Sequence, residues 1–292
     1  MRLAISAKAS DIVNSSIIVT GAARSGTSIT CNLLHSLKGV ELDFEPPLLF
    51  SLFPLIDTLP RDEWKLLFET YFYESFLLGA LGGRSINTNL SDDSSVFRVK
   101  PRELIEQRLS YSYRKRDLER VAQQATAAIK MPDILPFLPA FQVMYPRTRI
   151  ILAKREPAEI ISSILKKKWF ADDRLGKNLI WPFHSSMPAY PPFWVEESRL
   201  NEWGEMSEVD RCAYYCIRMS SFETQLKNIT VVHYDDLVRD PHAEVNKFAN
   251  QLNLDPTEMT EKLIKSVSPT GSIINERAVA SISSQYQRQL NL

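Results

Sequence analysis

The sequence predicts an α/β fold: a three-layer sandwich with a central, mostly parallel sheet flanked by helices. Two observations predict it. Short β-branched apolar runs recur along the chain, and each leads through a turn into a segment with apolar residues at helical spacing. The turn after the first run is rich in glycine, serine and threonine, the kind of loop whose backbone cradles phosphate. Strands that alternate with helices pair in parallel, because each helix carries the chain back to the end of the sheet where the previous strand began.

The elements follow in order. Residues 16–20 (Ser-Ile-Ile-Val-Thr) read as a buried strand, residues 21–28 as the loop, and residues 29–37 as a helix ending before Gly39. Residues 149–153 (Arg-Ile-Ile-Leu-Ala) are a second buried strand. Pro157 then sits at a helix N1 position, and 158–168 form an amphipathic helix. A third strand spans 229–232 and leads into Tyr234-Asp235-Asp236-Leu237. Asp240-Pro241 opens the next helix, with Val245, Phe248, Ala249 and Leu252 on one face. Residues 50–73 read as helical, and residues 79–95, rich in Gly, Ser, Asn and Asp, as a mobile loop.

The 292 residues suffice to bury a core without metal or disulfide staples. No break in composition divides them, so one domain over 1–292 is expected, with an aromatic and proline-rich insertion at about 170–205 that holds Trp181, Phe183, His184, Tyr190, Phe193, Trp194 and Trp203. Lys+Arg and Asp+Glu both number 35, and this balance argues against a dedicated nucleic-acid binder. Cys31, Cys212 and Cys216 are too few and too scattered for a disulfide framework, and the last two read as small core residues. The four histidines read as surface or packing residues, with His233 expected to be buried and His184 kept as an alternative base. No cluster has metal-ligand spacing, so no metal is expected. Neither a signal peptide nor a membrane span is visible, and the expected location is cytoplasmic.

The loop Gly21-Ala22-Ala23-Arg24-Ser25-Gly26-Thr27-Ser28 makes the fold a P-loop-containing one. Compared with the G-x-x-x-x-G-K-[ST] pattern of nucleoside triphosphatases, Gly21, Gly26 and Ser28 fit, but Thr27 stands in place of the lysine and the cation is Arg24. The loop is therefore suited to a phosphate-like group and poorly built for ATP hydrolysis. Arg155 ends the second strand, where an anion at the sheet's carboxyl edge lies within reach. Ser163 and Lys167 share a face of the following helix, so an arginine, a hydroxyl and an ammonium converge there as a phosphate dianion requires. The plainer reading pairs Arg155 with Glu156 or Glu159 and makes Ser163 a packing residue.

At these residues the chain resembles the sulfotransferases that use 3′-phosphoadenosine 5′-phosphosulfate (PAPS). Arg24-Ser25-Gly26-Thr27-Ser28 matches their [KR]-x-G-T-[ST] loop. Arg155, with Ser163 eight positions on, matches their 3′-phosphate motif, and Val232 to Leu237 resembles their V-x-Y-E-D-L strand end. The three motifs occur in the family's order over roughly residues 16–255. The resemblance implies PAPS as donor, with the desulfated nucleotide PAP as product, and a small-molecule or glycan acceptor. It also implies nucleotide contacts from Arg24, Ser25, Gly26, Thr27, Ser28, Arg155, Ser163, Tyr234 and Ser272. Lys130, in Lys130-Met131-Pro132, occupies the place of the family's K-x-P or K-x-H segment, and the histidine that serves as base in the cytosolic branch is absent. The tyrosylprotein and several carbohydrate sulfotransferases place a catalytic glutamate after the helix that follows the loop. In the tyrosylprotein branch it stands 21 positions beyond the loop's arginine, as Glu45 does beyond Arg24, and the chain resembles this glutamate-base branch, of bacterial type. Glu45 is therefore the expected base, with Asp43 in reserve and Arg24 and Lys130 expected to stabilise the leaving group. The apolar neighbours Phe44, Leu48 and Leu49 are expected to raise the Glu45 pKa toward working pH. Ser272 is expected in a covering loop over the nucleotide.

Acceptor recognition is expected from the 169–203 aromatics, the helices at 50–73 and the loop at 79–95, with the plainer reading that these side chains are ordinary core equally open. The basic residues Arg98, Lys100, Arg102, Arg108, Arg114, Lys115 and Arg116 read either as a greeting for an acidic acceptor or as a solvated face. Two rival readings stand beside the transferase: a P-loop kinase of a nucleotide or small molecule, and a non-catalytic protein that binds PAP or a sulfated ligand.

Overall fold

The computed structural model describes residues 3–175, 191–267 and 274–292. Among them, five strands form one sheet: β1 (Ile17–Thr20), β2 (Val40–Phe44), β3 (Thr126–Lys130), β4 (Arg149–Lys154) and β5 (Ile229–His233), in the order β2-β3-β1-β4-β5. Every neighbouring pair runs parallel. All five strands therefore end at the same edge, and the loops that follow them converge there.

The core lies on both faces of this sheet. Residues of β1 alternate between them: Ile18 joins one apolar cluster, while Ile17 and Val19 join the other. The first cluster contains a nest of aromatic side chains in which Trp64 stacks on Phe68 at 5.0 Å and Phe53 meets Phe141 at 5.5 Å. The second packs the helix Thr27–Ser36, through Leu33 and Leu34, and the helix Pro241–Leu252, through Phe248 and Leu252, on the opposite face. Helices thus cover both sides, which is what an all-parallel sheet with buried apolar strands requires.

The three strands predicted from β-branched runs are present, within a residue of their expected ends. β2 and β3 are additions. β2 reads Val-Glu-Leu-Asp-Phe, and its acidic residues mimic a loop; Glu41 is nonetheless buried, because Arg108 meets it with two hydrogen bonds of 2.7 and 2.9 Å. Lys100 is buried too and donates to the Val40 carbonyl. The basic stretch is therefore not one surface: Lys100 and Arg108 are core supports of β2, while Arg98, Arg102, Arg114, Lys115 and Arg116 are exposed.

The expected mobile loop is shorter than predicted, since Leu78–Leu81 close a helix. Its remainder is held by its own side chains: Asn87 donates to Ser94 at 2.8 Å and the Ser94 amide to Asp92 at 2.8 Å. Trp194 and Trp203 lie in the core against Phe170 and Tyr215, rather than forming an exposed aromatic wall. Trp181, Phe183, His184 and Tyr190 lie outside the described residues. His233 is exposed, contrary to expectation, because it ends β5 at the open edge; His35 is buried, and its burial pushes the imidazole pKa well below its usual value. Cys31, Cys212 and Cys216 are free and buried. No helix among the described residues is long and apolar enough to cross a membrane.

Candidate active site

The loop after β1 is shaped by two backbone requirements. Gly26 adopts φ +97° and Arg24 φ +73°, so the chain reverses sharply before the helix Thr27–Ser36 begins. Only glycine fits at 26, since a Cβ there would lie 2.6 Å from Cδ2 of Tyr234. No side chain caps this helix, so its first-turn amides keep their hydrogen-bonding capacity and the positive end of the helix dipole stays open. Ser25 Oγ and Thr20 Oγ1, at the loop and at the end of β1, are buried without a hydrogen-bond partner among the described residues. Open amides and orphaned hydroxyls are the donor set that a phosphate-like oxygen would satisfy.

Lys130 ends β3, beside β1, and its side chain is 4% exposed. Its ammonium donates to Ser28 Oγ at 3.2 Å, forms an ion pair with the Glu45 carboxylate and lies 4.1 Å from the centre of the Phe44 ring. Glu45 follows β2 with φ +52°, and its amide donates to the Lys130 carbonyl at 2.9 Å. That unusual backbone turns the side chain back across β3 toward the loop. The carboxylate therefore meets an ammonium and not the apolar wall expected from the sequence: Leu48 points to solvent, while Leu49 is buried in the core. Asp43, two residues earlier, accepts a hydrogen bond from Tyr71, and burial raises its carboxyl pKa above the usual value. Cys31 lies beneath this group, within the fields of Lys130, Glu45 and Asp43; burial raises its thiol, so it stays protonated and is no nucleophile.

On the other side of the loop, Arg155 follows β4 with its side chain only 8% exposed. Its guanidinium lies 4.1 Å from the centre of the Tyr234 ring and donates to Glu159 at 3.0 Å and to the Arg24 carbonyl at 3.3 Å. The pairing with Glu159 that the plainer reading anticipated is present, and so is the contact with the loop. Arg24 in turn donates from Nε to Ser163 Oγ at 2.9 Å, and its guanidinium carbon lies 5.9 Å from the centre of the Trp169 ring. Ser163 is thus joined to the loop through Arg24. Lys167 is exposed at the last turn of the same helix. Tyr234, at the start of the helix Tyr234–Arg239, lies between Gly26 and Arg155. Ser272 lies outside the described residues.

A family model described as "Sulfotransferase family" matches residues 16–258, most of the chain. The chain belongs to the sulfotransferase family. No curated protein matches it. Among solved structures, the sulfotransferase domain from the curacin biosynthetic pathway is 15% identical with a TM-score of 0.49, covering 95% of this chain and 96% of that one. The sulfotransferase domain from the Synechococcus PCC 7002 olefin synthase is 15% identical with a TM-score of 0.46, covering 84% and 75%. The sulfotransferase STF1 from Mycobacterium tuberculosis H37Rv is 13% identical with a TM-score of 0.43, covering 96% and 78%.

The sulfotransferase loop, Lys130, Glu45, Arg155, Ser163 and Tyr234 therefore gather along one edge of the sheet. The motif reading missed what lies beneath the loop. Asp133, with φ +65°, accepts at Oδ1 from the Ala23 amide at 3.2 Å and from the hydroxyl of Tyr215, a buried residue of the helix Glu208–Glu223. Desolvation pushes its carboxyl up to about 6, opposed by the hydrogen bonds from Tyr215 and Ala23. No local pattern announces a contact between residues 82 positions apart. Among the described residues no cluster of His, Cys, Asp or Glu could hold a metal ion.

Proposed function

We propose that this chain transfers a sulfuryl group from PAPS to a hydroxyl or amine of a small-molecule or glycan acceptor, with Glu45 as base. The observation that carries the reading is the bridge from Ser28 through Lys130 to Glu45, a cation and a carboxylate side by side at the mouth of the phosphate loop. The donor set fits the nucleotide: orphaned Ser25 Oγ, the uncapped helix start and Arg24 suit its 5′ end, and Arg155, Ser163 and Lys167 suit its 3′-phosphate. When bound, PAPS supplies the sulfuryl group and a phosphate leaving group.

The residues divide the work. The amides of residues 26–28 and Arg24 bind and align the 5′ end, which lowers the entropic part of the barrier, while the Ser25 amide is taken by the Ala22 carbonyl at 3.1 Å within the loop. Lys130 holds positive charge where negative charge grows on the leaving phosphate, and a largely buried ammonium acts there with little screening. Glu45, 36% exposed, is open to an acceptor and takes its proton. Arg155, stacked on Tyr234 and tied to Glu159, is pre-oriented for the 3′-phosphate.

Calorimetry with PAP and with ATP–Mg²⁺ tests the reading. PAP should bind and ATP–Mg²⁺ should not; the reverse preference would favour a kinase. Arg155→Ala should weaken PAP by at least about tenfold, the loss of a charge-assisted contact, and adenosine 5′-phosphosulfate by less than about threefold. Equal losses would remove Arg155 from the 3′-phosphate. Sulfate transfer to any member of a broad acceptor panel separates the enzyme from a non-catalytic binder.

A further inference from the structure

We propose that Asp133 and Tyr215 are a positioning pair that sets the conformation of the phosphate loop from beneath. Asp133 is fastened to the loop twice: its amide donates to the Gly21 carbonyl at 3.2 Å, and its Oδ1 receives the Ala23 amide at 3.2 Å. The Tyr215 hydroxyl contacts both that oxygen and the Ala23 amide, closing a three-membered set. Neither partner is loosely held. Asp133 stands in the left-handed region, which aspartate tolerates better than most residues, three positions beyond Lys130 at the end of β3. Tyr215 is fixed among Trp194, at 5.0 Å, and Phe170, at 5.7 Å.

The chemistry of the pair marks it as positioning rather than ligand-binding. A carboxylate can only accept, so it cannot contact a phosphate oxygen while ionised, and its charge opposes an anion above it. What it gives is direction: the Ala23 amide is taken up from below, and the left-handed Arg24 that follows starts the reversal leading to the open amides of residues 26–28. The same geometry ties the loop to the helix Glu208–Glu223 and its aromatic neighbours, so loop shape and the packing around Trp194 are one mechanical unit.

The test uses the full chain and two readouts, the second of which rests on the nucleotide reading. Hydrogen exchange of the unliganded protein should show about tenfold faster exchange over residues 21–28 in Asp133→Ala and in Tyr215→Phe, with distant strands unchanged. Asp133→Asn, which keeps an oxygen acceptor for the Ala23 amide, should restore protection to within about twofold of wild type. In calorimetry, Asp133→Ala should weaken PAP about tenfold but adenosine 3′-phosphate by less than about threefold, since only the former needs the loop, and Asp133→Asn should again recover. Wild-type exchange over residues 21–28 in Asp133→Ala, or failure of Asp133→Asn to rescue, overturns the pair. Equal weakening of both nucleotides also overturns it, as a general structural role. If wild-type protein binds no PAP, the nucleotide reading falls, and the exchange experiment still decides the pair.

Discussion

Gly26→Ala puts the loop geometry to a quantitative test. At φ +97° an alanine bears the steric cost of a left-handed backbone, about 1–2 kcal/mol. Its Cβ would also lie 2.6 Å from the Tyr234 ring, and overpacking of that kind costs about 1–3 kcal/mol. The ring cannot retreat freely, because the Arg155 guanidinium rests against it with a carbon 4.1 Å from the ring centre. Together these give a loss of about 2–5 kcal/mol, which for a chain of this size lowers the melting temperature by about 4–10 °C. Thermal unfolding followed by circular dichroism measures the shift, and a double-mutant cycle with Tyr234→Ala divides it. Without the ring the contact part vanishes and the backbone part stays, so the two changes should couple by about 1–3 kcal/mol. Additive effects, or a melting temperature equal to that of wild type, would refute the description of Gly26 and Tyr234 as a contact that only glycine permits.

Two further expectations concern the carboxylates. Glu45→Gln should leave PAP affinity within about threefold while turnover falls on the order of 10² or more, measured by sulfate transfer to any accepted substrate; retained turnover would strip Glu45 of the base role. Asp133 gives the pH dependence. Its carboxyl is raised from 3.8 to about 6 in the folded protein, so between those values the folded state holds a proton that the unfolded state has released. Stability is therefore lost as pH rises through that window and level above it, by about 3 kcal/mol at most. Asp133→Asn removes this dependence, and its unfolding free energy in urea should gain on wild type between pH 4 and 6; parallel profiles would count against the assignment.

The parts of the fold that could be read from the sequence were those that speak locally. β1, β4 and β5 are β-branched runs bounded by turn residues, and the loop carries its glycines at fixed offsets. β2 and β3 were hidden for opposite reasons. The acidic residues of β2, Glu41 and Asp43, are tolerated only because Arg108 and Tyr71 arrive from elsewhere in the chain, and β3 (Thr-Ala-Ala-Ile-Lys) is too poor in β-branched side chains to stand out. At the site, Arg24, Lys130, Glu45, Arg155, Ser163 and Tyr234 were legible as motif positions, and the structure brings them together. The Lys130–Glu45 pairing, the Arg24–Ser163 link and the Asp133–Tyr215 support were not, since each joins side chains 82 or more positions apart. Trp194 and Trp203 illustrate the converse: composition left a recognition surface and ordinary core equally open for them, and packing made them core.

The strand order β2-β3-β1-β4-β5 has a consequence for how this scaffold can diversify. Arg155 lies to one side of the central strand and Glu45 to the other, at the sheet's outer margin. The long excursion between β2 and β3, residues 45–125, leaves and re-enters the sheet entirely on the Glu45 side. Changes in that excursion can remodel the surroundings of Glu45 while the flank that carries Arg155 keeps its shape, so the two margins of the sheet can be altered separately.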